Sequence, residues 1–164
     1  MKTIKFFHPE ETLTYFIDRC FCKVIFSGQQ HQLLIEIESN DDLDHVEGDA
    51  IQNRFPHVIM SVDDFPVDFQ NIEELPGKTV KIPHCYVEVE NEDEEVDEYY
   101  YTNVNFSDND YESDQNTLVF SKNTAGNLCL KWRGEVQDFT EQSDDYIPFE
   151  LECVFSEENF DEPY

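Results

Sequence analysis

Near the C-terminus Phe149, Leu151, Cys153 and Phe155 alternate with Glu150 and Glu152. A period of two fits an extended strand buried on one face and does not fit a helix. The pattern recurs where Leu128, Leu130 and Trp132 alternate with Cys129, Lys131 and Arg133. Between Leu118-Val119-Phe120 and Leu128 lie Ser121 to Asn127, whose Asn and Gly residues supply turn chemistry and predict a hairpin. A second hairpin joins Cys22 to Phe26 with Leu33 to Ile37 through Ser27, Gly28, Gln29 and Gln30. Further strands are predicted at 12–18, 57–62, 78–82, 84–90 and 98–106. No window sustains a helical period over three turns. The best helical stretch runs from Asp68 to Leu75, capped by Asp68 or Asn71 and stopped by Pro76-Gly77. The expected fold is all-β: an antiparallel β-sandwich or barrel-like domain of about nine short strands, with at most one or two short helical turns.

The chain of 164 residues is long enough for one domain, expected to span residues 1–164. Its 14 Phe and 8 Tyr set it apart from acidic chains too poor in aromatics to fold. The stretch Met1 to Glu10 has a basic start without a long apolar run, and no segment approaches a membrane-spanning length, so a cytoplasmic location is expected. The five cysteines, Cys20, Cys22, Cys85, Cys129 and Cys153, lack zinc-knuckle spacing and read as buried free thiols.

Charge constrains the partner more than the fold. The chain carries 38 Asp+Glu against 10 Lys+Arg, a net charge of -28. Residues 1–82 hold 15 acids and 7 bases; residues 83–164 hold 23 acids and 3 bases, net -20. The acids fall in clusters. Asp41, Asp42, Asp44, Glu47 and Asp49 follow the strand ending near Ile37. Glu88 to Glu98 is acidic at eight of its eleven positions, and Glu92 to Glu98 is read as a loop between the strands at 84–90 and 98–106. Asp108, Asp110, Glu112 and Asp114 precede the Leu118 strand, and Asp138, Glu141, Asp144 and Asp145 precede the Phe149 strand. Acids at turns are ordinary, since Asp supports turns and water screens like charges there. The near absence of compensating bases is not, because a folded chain works against its own repulsion. Such a surface attracts basic proteins and cations and repels nucleic acid and anionic membranes.

No reaction is legible. His8, His31, His45, His57 and His84 sit in no nucleophile signature, and His84 beside Cys85 reads as a strand histidine with its neighbour on the opposite face. Asp108-Asn109-Asp110-Tyr111-Glu112-Ser113-Asp114 begins like a calcium loop, yet Ser113 stands where Gly is needed and Val119 where the bidentate Glu belongs. The carboxylates cluster in polar loops, unlike a glycosidase pair, and there is no Gly-rich phosphate loop. No catalytic residue, metal site, cofactor or small-molecule substrate is therefore expected. Tyr99, Tyr100 and Tyr101 adjoin the acidic run. Strand alternation predicts that Tyr100, Thr102, Val104 and Phe106 face inward. Tyr99 and Tyr101 then face out beside carboxylates, a surface suited to Arg and Lys.

Two phrases, Phe69 to Val80 and Leu128 to Val136, resemble those of β-rich immunity proteins of bacterial polymorphic toxin systems. Length, acidity, β pattern and the lack of catalytic groups are similar as well. The resemblance implies a small cytoplasmic, non-catalytic protein that neutralises one cognate toxin, often a basic nuclease, by steric and electrostatic occlusion. It assigns no residue. The residues themselves nominate Glu92, Asp93, Glu94, Glu95, Asp97, Tyr99 and Tyr101 as one partner-binding patch, and Asp108, Asp110, Glu112 and Asp114 as a second. The rival reading is a structural or accessory β-domain whose acidity serves solubility, salt adaptation or weak divalent-cation binding.

Overall fold

The computed structural model describes residues 2–155; Met1 and residues 156–164, whose acids enter the C-terminal charge above, lie outside the described residues. Among the described residues twelve strands follow one another: β1 (Thr3–Phe7), β2 (Thr12–Ser27), β3 (Gln30–Ser39), β4 (Val58–Val67), β5 (Thr79–Ile82), β6 (Tyr86–Glu90), β7 (Val96–Tyr100), β8 (Thr102–Phe106), β9 (Asn109–Tyr111), β10 (Ser113–Lys122), β11 (Leu128–Gln137) and β12 (Tyr146–Phe155). Ten of them form one antiparallel sheet in the order β5-β10-β11-β12-β1-β2-β3-β4-β8-β9, curled into a half-barrel, and β6 and β7 pair separately as a hairpin. There is no α-helix among the described residues.

The expected alternation holds where it was clearest. In β12, Ile147, Phe149, Leu151, Cys153 and Phe155 are buried, while Glu150 and Glu152 face out. Both predicted hairpins form, as β2–β3 and β10–β11. The extended stretches at 12–18 and 22–26 prove to be one strand, β2, which absorbs a register shift between Ile17 and Arg19. Conversely, 98–106 divides at Tyr101, because the Tyr101 and Thr102 amides both donate to the Cys85 carbonyl, at 2.6 and 3.3 Å, and the chain changes direction there. With β1 and β9, which are not predicted from sequence, the count rises to twelve among the described residues. The stretch 68–75 yields a single 3-10 turn, Ile72–Glu74, capped reciprocally by Asn71 and Glu74. His84 lies in the bend between β5 and β6 and not on a strand.

The concave side of the sheet is filled by aromatics. Phe6 touches Tyr15, Phe106, Phe139 and Phe149 with ring centroids 5.2–5.9 Å apart. Phe139 comes from the loop between β11 and β12 and lies 4.2 Å from Phe106. That loop was expected to be a solvated acidic segment, but Asp138 is buried and holds it together. Its carboxylate accepts the amides of Thr140, Gln142 and Ser143 at 2.9, 3.2 and 3.1 Å, and the Thr140 hydroxyl as well. The Glu10 amide donates to His8 Nδ1, which leaves Nε2 as the donor to Thr140 Oγ1, 3.1 Å away. The five cysteines are free thiols, four of them buried and Cys129 half-buried.

The two ends of the curled sheet approach one another without a backbone ladder between them. Ser113 on β10 donates its hydroxyl to Thr102 on β8 at 2.9 Å, and Thr102 donates to the Ser113 carbonyl at 3.3 Å. Beside them Asn116 donates to the carbonyls of Ile82 and Ser113 and accepts the Trp132 indole N–H at 2.9 Å. Every polar group of this buried knot is satisfied, as burial requires. The β6–β7 hairpin leaves the barrel from this seam.

Candidate functional site

The hairpin is built by its turn. The Asn91 side-chain oxygen accepts the amides of Asp93 and Glu95 at 2.9 and 3.1 Å, and the Asn91 amide donates to the Glu95 carbonyl at 2.8 Å. Glu92, Asp93, Glu94 and Glu95 therefore occupy the tip, whereas residues 96–98, expected in the loop, belong to β7. Across the ladder Tyr86 faces Tyr100, Glu88 faces Glu98 and Glu90 faces Val96 on one side; Val87 faces Tyr99 and Val89 faces Asp97 on the other. All five residues of β7 are exposed, including Val96 at 59%, Tyr99 at 52% and Tyr100 at 48%.

Two of the tyrosine assignments change. Tyr100, expected inside, is exposed and stacks on Tyr86 at 5.2 Å and 29°. Tyr101, expected outside, is half-buried and meets Phe65 edge-on at 5.1 Å. The break at Tyr101 is the cause, since the alternation running through β8 loses its phase there. Thr102, Val104 and Phe106 do face inward.

The second acidic group divides in two. Asp108 lies with Ser107 in the tight turn between β8 and β9, both at positive φ. Asp110 on β9 is turned back onto Asn103 and Asn105, which donate at 2.8 and 2.9 Å. The Asn105 bond, then the Asn103 bond, holds this carboxyl below its ordinary range. Glu112 and Asp114, by contrast, reach the root of the hairpin. Asp114 accepts the Cys85 amide at 3.1 Å and lies 3.9 Å from His84 Nδ1. Glu112 accepts from the Cys85 thiol at 3.7 Å. Among the described residues no three potential ligands gather as a metal site, and the calcium-like spacing of 108–114 is broken by the turn into β9 and β10.

Of the predicted residues only Glu112 and Asp114 reach the root of the hairpin: Glu92 to Glu95 stay at its tip, Asp97 and Tyr99 lie on its other face, and Tyr101 packs on Phe65. At the root Tyr86, Tyr100, Glu88, Glu98 and Glu112 stand together. The Tyr100 hydroxyl donates to Glu98 at 3.1 Å; this bond, then burial, then the charges of Glu98 and Glu112 push its hydroxyl up to about 12. The charges of Glu88 and Glu98 raise Tyr86 as well. Burial, then Glu112 and Asp114, push the Cys85 thiol up to about 12, which leaves it a neutral hydrogen-bond donor and a poor nucleophile. A depression of about 530 Å³ beside Tyr100 is lined by Asp63, Asp110, Glu112 and Tyr111 among others. Burial, more than the neighbouring Asp64, raises Asp63. A second, of about 510 Å³, shares Tyr111 and Gln137 with the first and continues to Asp138, Glu141, Asp144 and Tyr146. No Lys or Arg lines either one.

Chemically, the site offers carboxylate acceptors and protonated phenols, the complement of guanidinium and ammonium groups. Glu88, Glu98, Tyr86, Tyr100 and Tyr146 are not among the residues nominated from sequence. For the four on the hairpin the signal lies in the period-two pairing of 86–90 with 96–100 about a turn centred on Asp93; Tyr146, on β12, carries no such signal. No protein-family model, curated protein or solved structure matches the chain.

Proposed function

We propose that the protein is a non-catalytic binding module that covers the basic face of a protein partner, acting as immunity proteins act on their toxins. One observation carries the reading. The stacked pair of exposed Tyr100 and half-buried Tyr86, ringed by Glu88, Glu98 and Glu112, stands on a hairpin outside the main sheet, and no Lys or Arg occurs between Lys81 and Lys122. Directly opposed like charges weaken a hairpin. A two-stranded hairpin outside a larger sheet is itself marginal. A sequence that places Glu88 across from Glu98 therefore works against its own stability, and a bound cation removes that conflict. Long-range attraction then speeds the encounter, while the tyrosines and desolvated carboxylates slow dissociation.

The test starts from affinity capture in the source organism's lysate at low salt, followed by binding kinetics with the captured protein. The expected result is one basic protein, bound with an association rate that falls steeply as salt rises. Glu98→Lys with Glu112→Lys is expected to slow association roughly ten-fold or more. Capture of no specific basic partner, or a rate indifferent to these reversals at low salt, overturns the reading.

A further inference from the structure

The phase of the hairpin ladder decides which backbone groups it leaves unused. At the turn the Asn91 amide bonds the Glu95 carbonyl, and at the root the Tyr101 amide bonds the Cys85 carbonyl. Bonded pairs alternate with non-bonded pairs along an antiparallel ladder. Counting inward from both ends, Val89–Asp97 and Val87–Tyr99 are bonded pairs, whereas Tyr86–Tyr100, Glu88–Glu98 and Glu90–Val96 are non-bonded. Val96, Glu98 and Tyr100 therefore turn their N–H and C=O groups away from β6, along the outer edge of β7. Among the described residues none of these groups has a backbone partner. The same phase brings the Glu88 and Glu98 side chains to the closer of the two cross-strand spacings.

An open edge with this pattern selects its occupant. A strand added alongside β7 places the side chains opposite Glu98 and Tyr100 on the face that carries Glu88, Glu90 and Tyr86. The alternate side chains fall on the face of Val87, Val89 and Tyr99, where Asp97 is the one acid. A second copy of this chain brings Glu against Glu there, so the acids guard the edge against self-association.

Resting on the reading that the partner is basic, we propose that the outer edge of β7 receives an extended strand of that partner whose side chains alternate between basic and apolar. The added strand turns the hairpin into a three-stranded sheet. Main-chain bonds supply affinity, and the alternating faces supply specificity. Arginine or lysine lies against Glu98, Glu88 and the Tyr86–Tyr100 rings; aliphatic residues cover Val87 and Tyr99.

The experiment titrates the full chain, at low salt, with a capped peptide of alternating arginine and valine as long as β7, and with its isomer carrying the same residues in two blocks. The alternating peptide is expected to bind roughly ten-fold more tightly. Glu98→Pro removes one outward N–H and leaves the hairpin's own ladder intact, whereas Glu98→Gln removes only the charge. The proline variant is expected to lose roughly a further ten-fold over the glutamine variant. A peptide N-methylated on the edge that faces β7 probes the same bonds with the protein unaltered, and is expected to lose a comparable factor. Equal binding of both isomers, or of the N-methylated and parent peptides, overturns strand addition and leaves the basic-partner reading standing. Binding of neither peptide overturns both.

Discussion

Gly134 and Trp132 show how tightly individual positions are held at the seam. A Cβ on Gly134 would lie 2.9 Å from both Asn116 Oδ1 and the Phe149 ring, and 3.1 Å from the Asp114 carbonyl. The backbone carbonyl cannot yield as a flexible side chain could. Gly134→Ala is therefore expected to destabilise the protein by about 1–3 kcal/mol in denaturant unfolding. Trp132→Phe keeps the aromatic contact with Phe149 but removes the donor to Asn116 Oδ1. The orphaned buried acceptor is expected to cost roughly 1–3 kcal/mol, and the lost volume adds to it. Neither constraint is visible in sequence. Gly134 interrupts an otherwise regular strand, and Asn116 is one polar residue among many.

At the scale of elements, the hairpin and the β11–β12 loop use acids in opposite ways. In the loop Asp138 works as a structural acceptor for three amides and a hydroxyl. In the hairpin the acids at the tip face water, and Glu94 adopts φ 62°, a left-handed conformation that favours glycine. Glu94→Gly is expected to stabilise the hairpin by up to about 1 kcal/mol. Slower amide exchange at Val89 and Tyr99, with unchanged exchange in β12, is the measurement that checks it. The hairpin itself was half legible. The sequence predicts strands at 84–90 and from 98, but the turn it predicts over 92–98 is too long, because an acidic run reads as loop whether or not its backbone pairs. The long turn hides the Glu88–Glu98 pairing, and the break at Tyr101 reverses the roles of Tyr100 and Tyr101.

Over the whole molecule, charge is segregated. Lys81, Arg133 and Lys5 lie in one cross-strand row on the outer face of the sheet, with Thr117 between the first two and Glu150 between the last two. Lys131 pairs with Glu152 at 3.6 Å on the same face. Bases gathered there leave the hairpin and the two depressions uncompensated, so the field has a direction. Added salt is expected to raise the melting temperature by screening self-repulsion. The acid response has two limbs of opposite sign. Burial raises Asp63 above its ordinary 3.8, so its ionised form opposes folding and stability increases as pH falls through that raised value. Burial pushes Asp138 up too, but its hydrogen bonds from Thr140, Ser143 and Gln142 outweigh this and leave it lowered. Its contribution is present above 3.8 and disappears as pH falls through the depressed value. Melting temperature is thus expected to rise on mild acidification and to fall below pH 3.8. Asp63→Asn flattens the first limb and Asp138→Asn the second.

The all-β class, the two long hairpins and the inward faces of β11 and β12 can be read from the residues alone. Those follow from alternation, which is a local consequence of burying one side of an extended chain. The residues show as well that the C-terminal half is far too acidic to be neutralised from within. The curl of the sheet until β8 meets β10, the anchoring of a loop by Phe139 and Asp138, and the choice of which acids converge all depend on how distant strands pack. Glu112 reaches Tyr100 because two distant strands end at one seam, whereas Asp110, two residues earlier, is held by Asn103 and Asn105. Convergence of that kind depends on strand order and on a break at Tyr101, and neither leaves a periodic trace in the residues themselves.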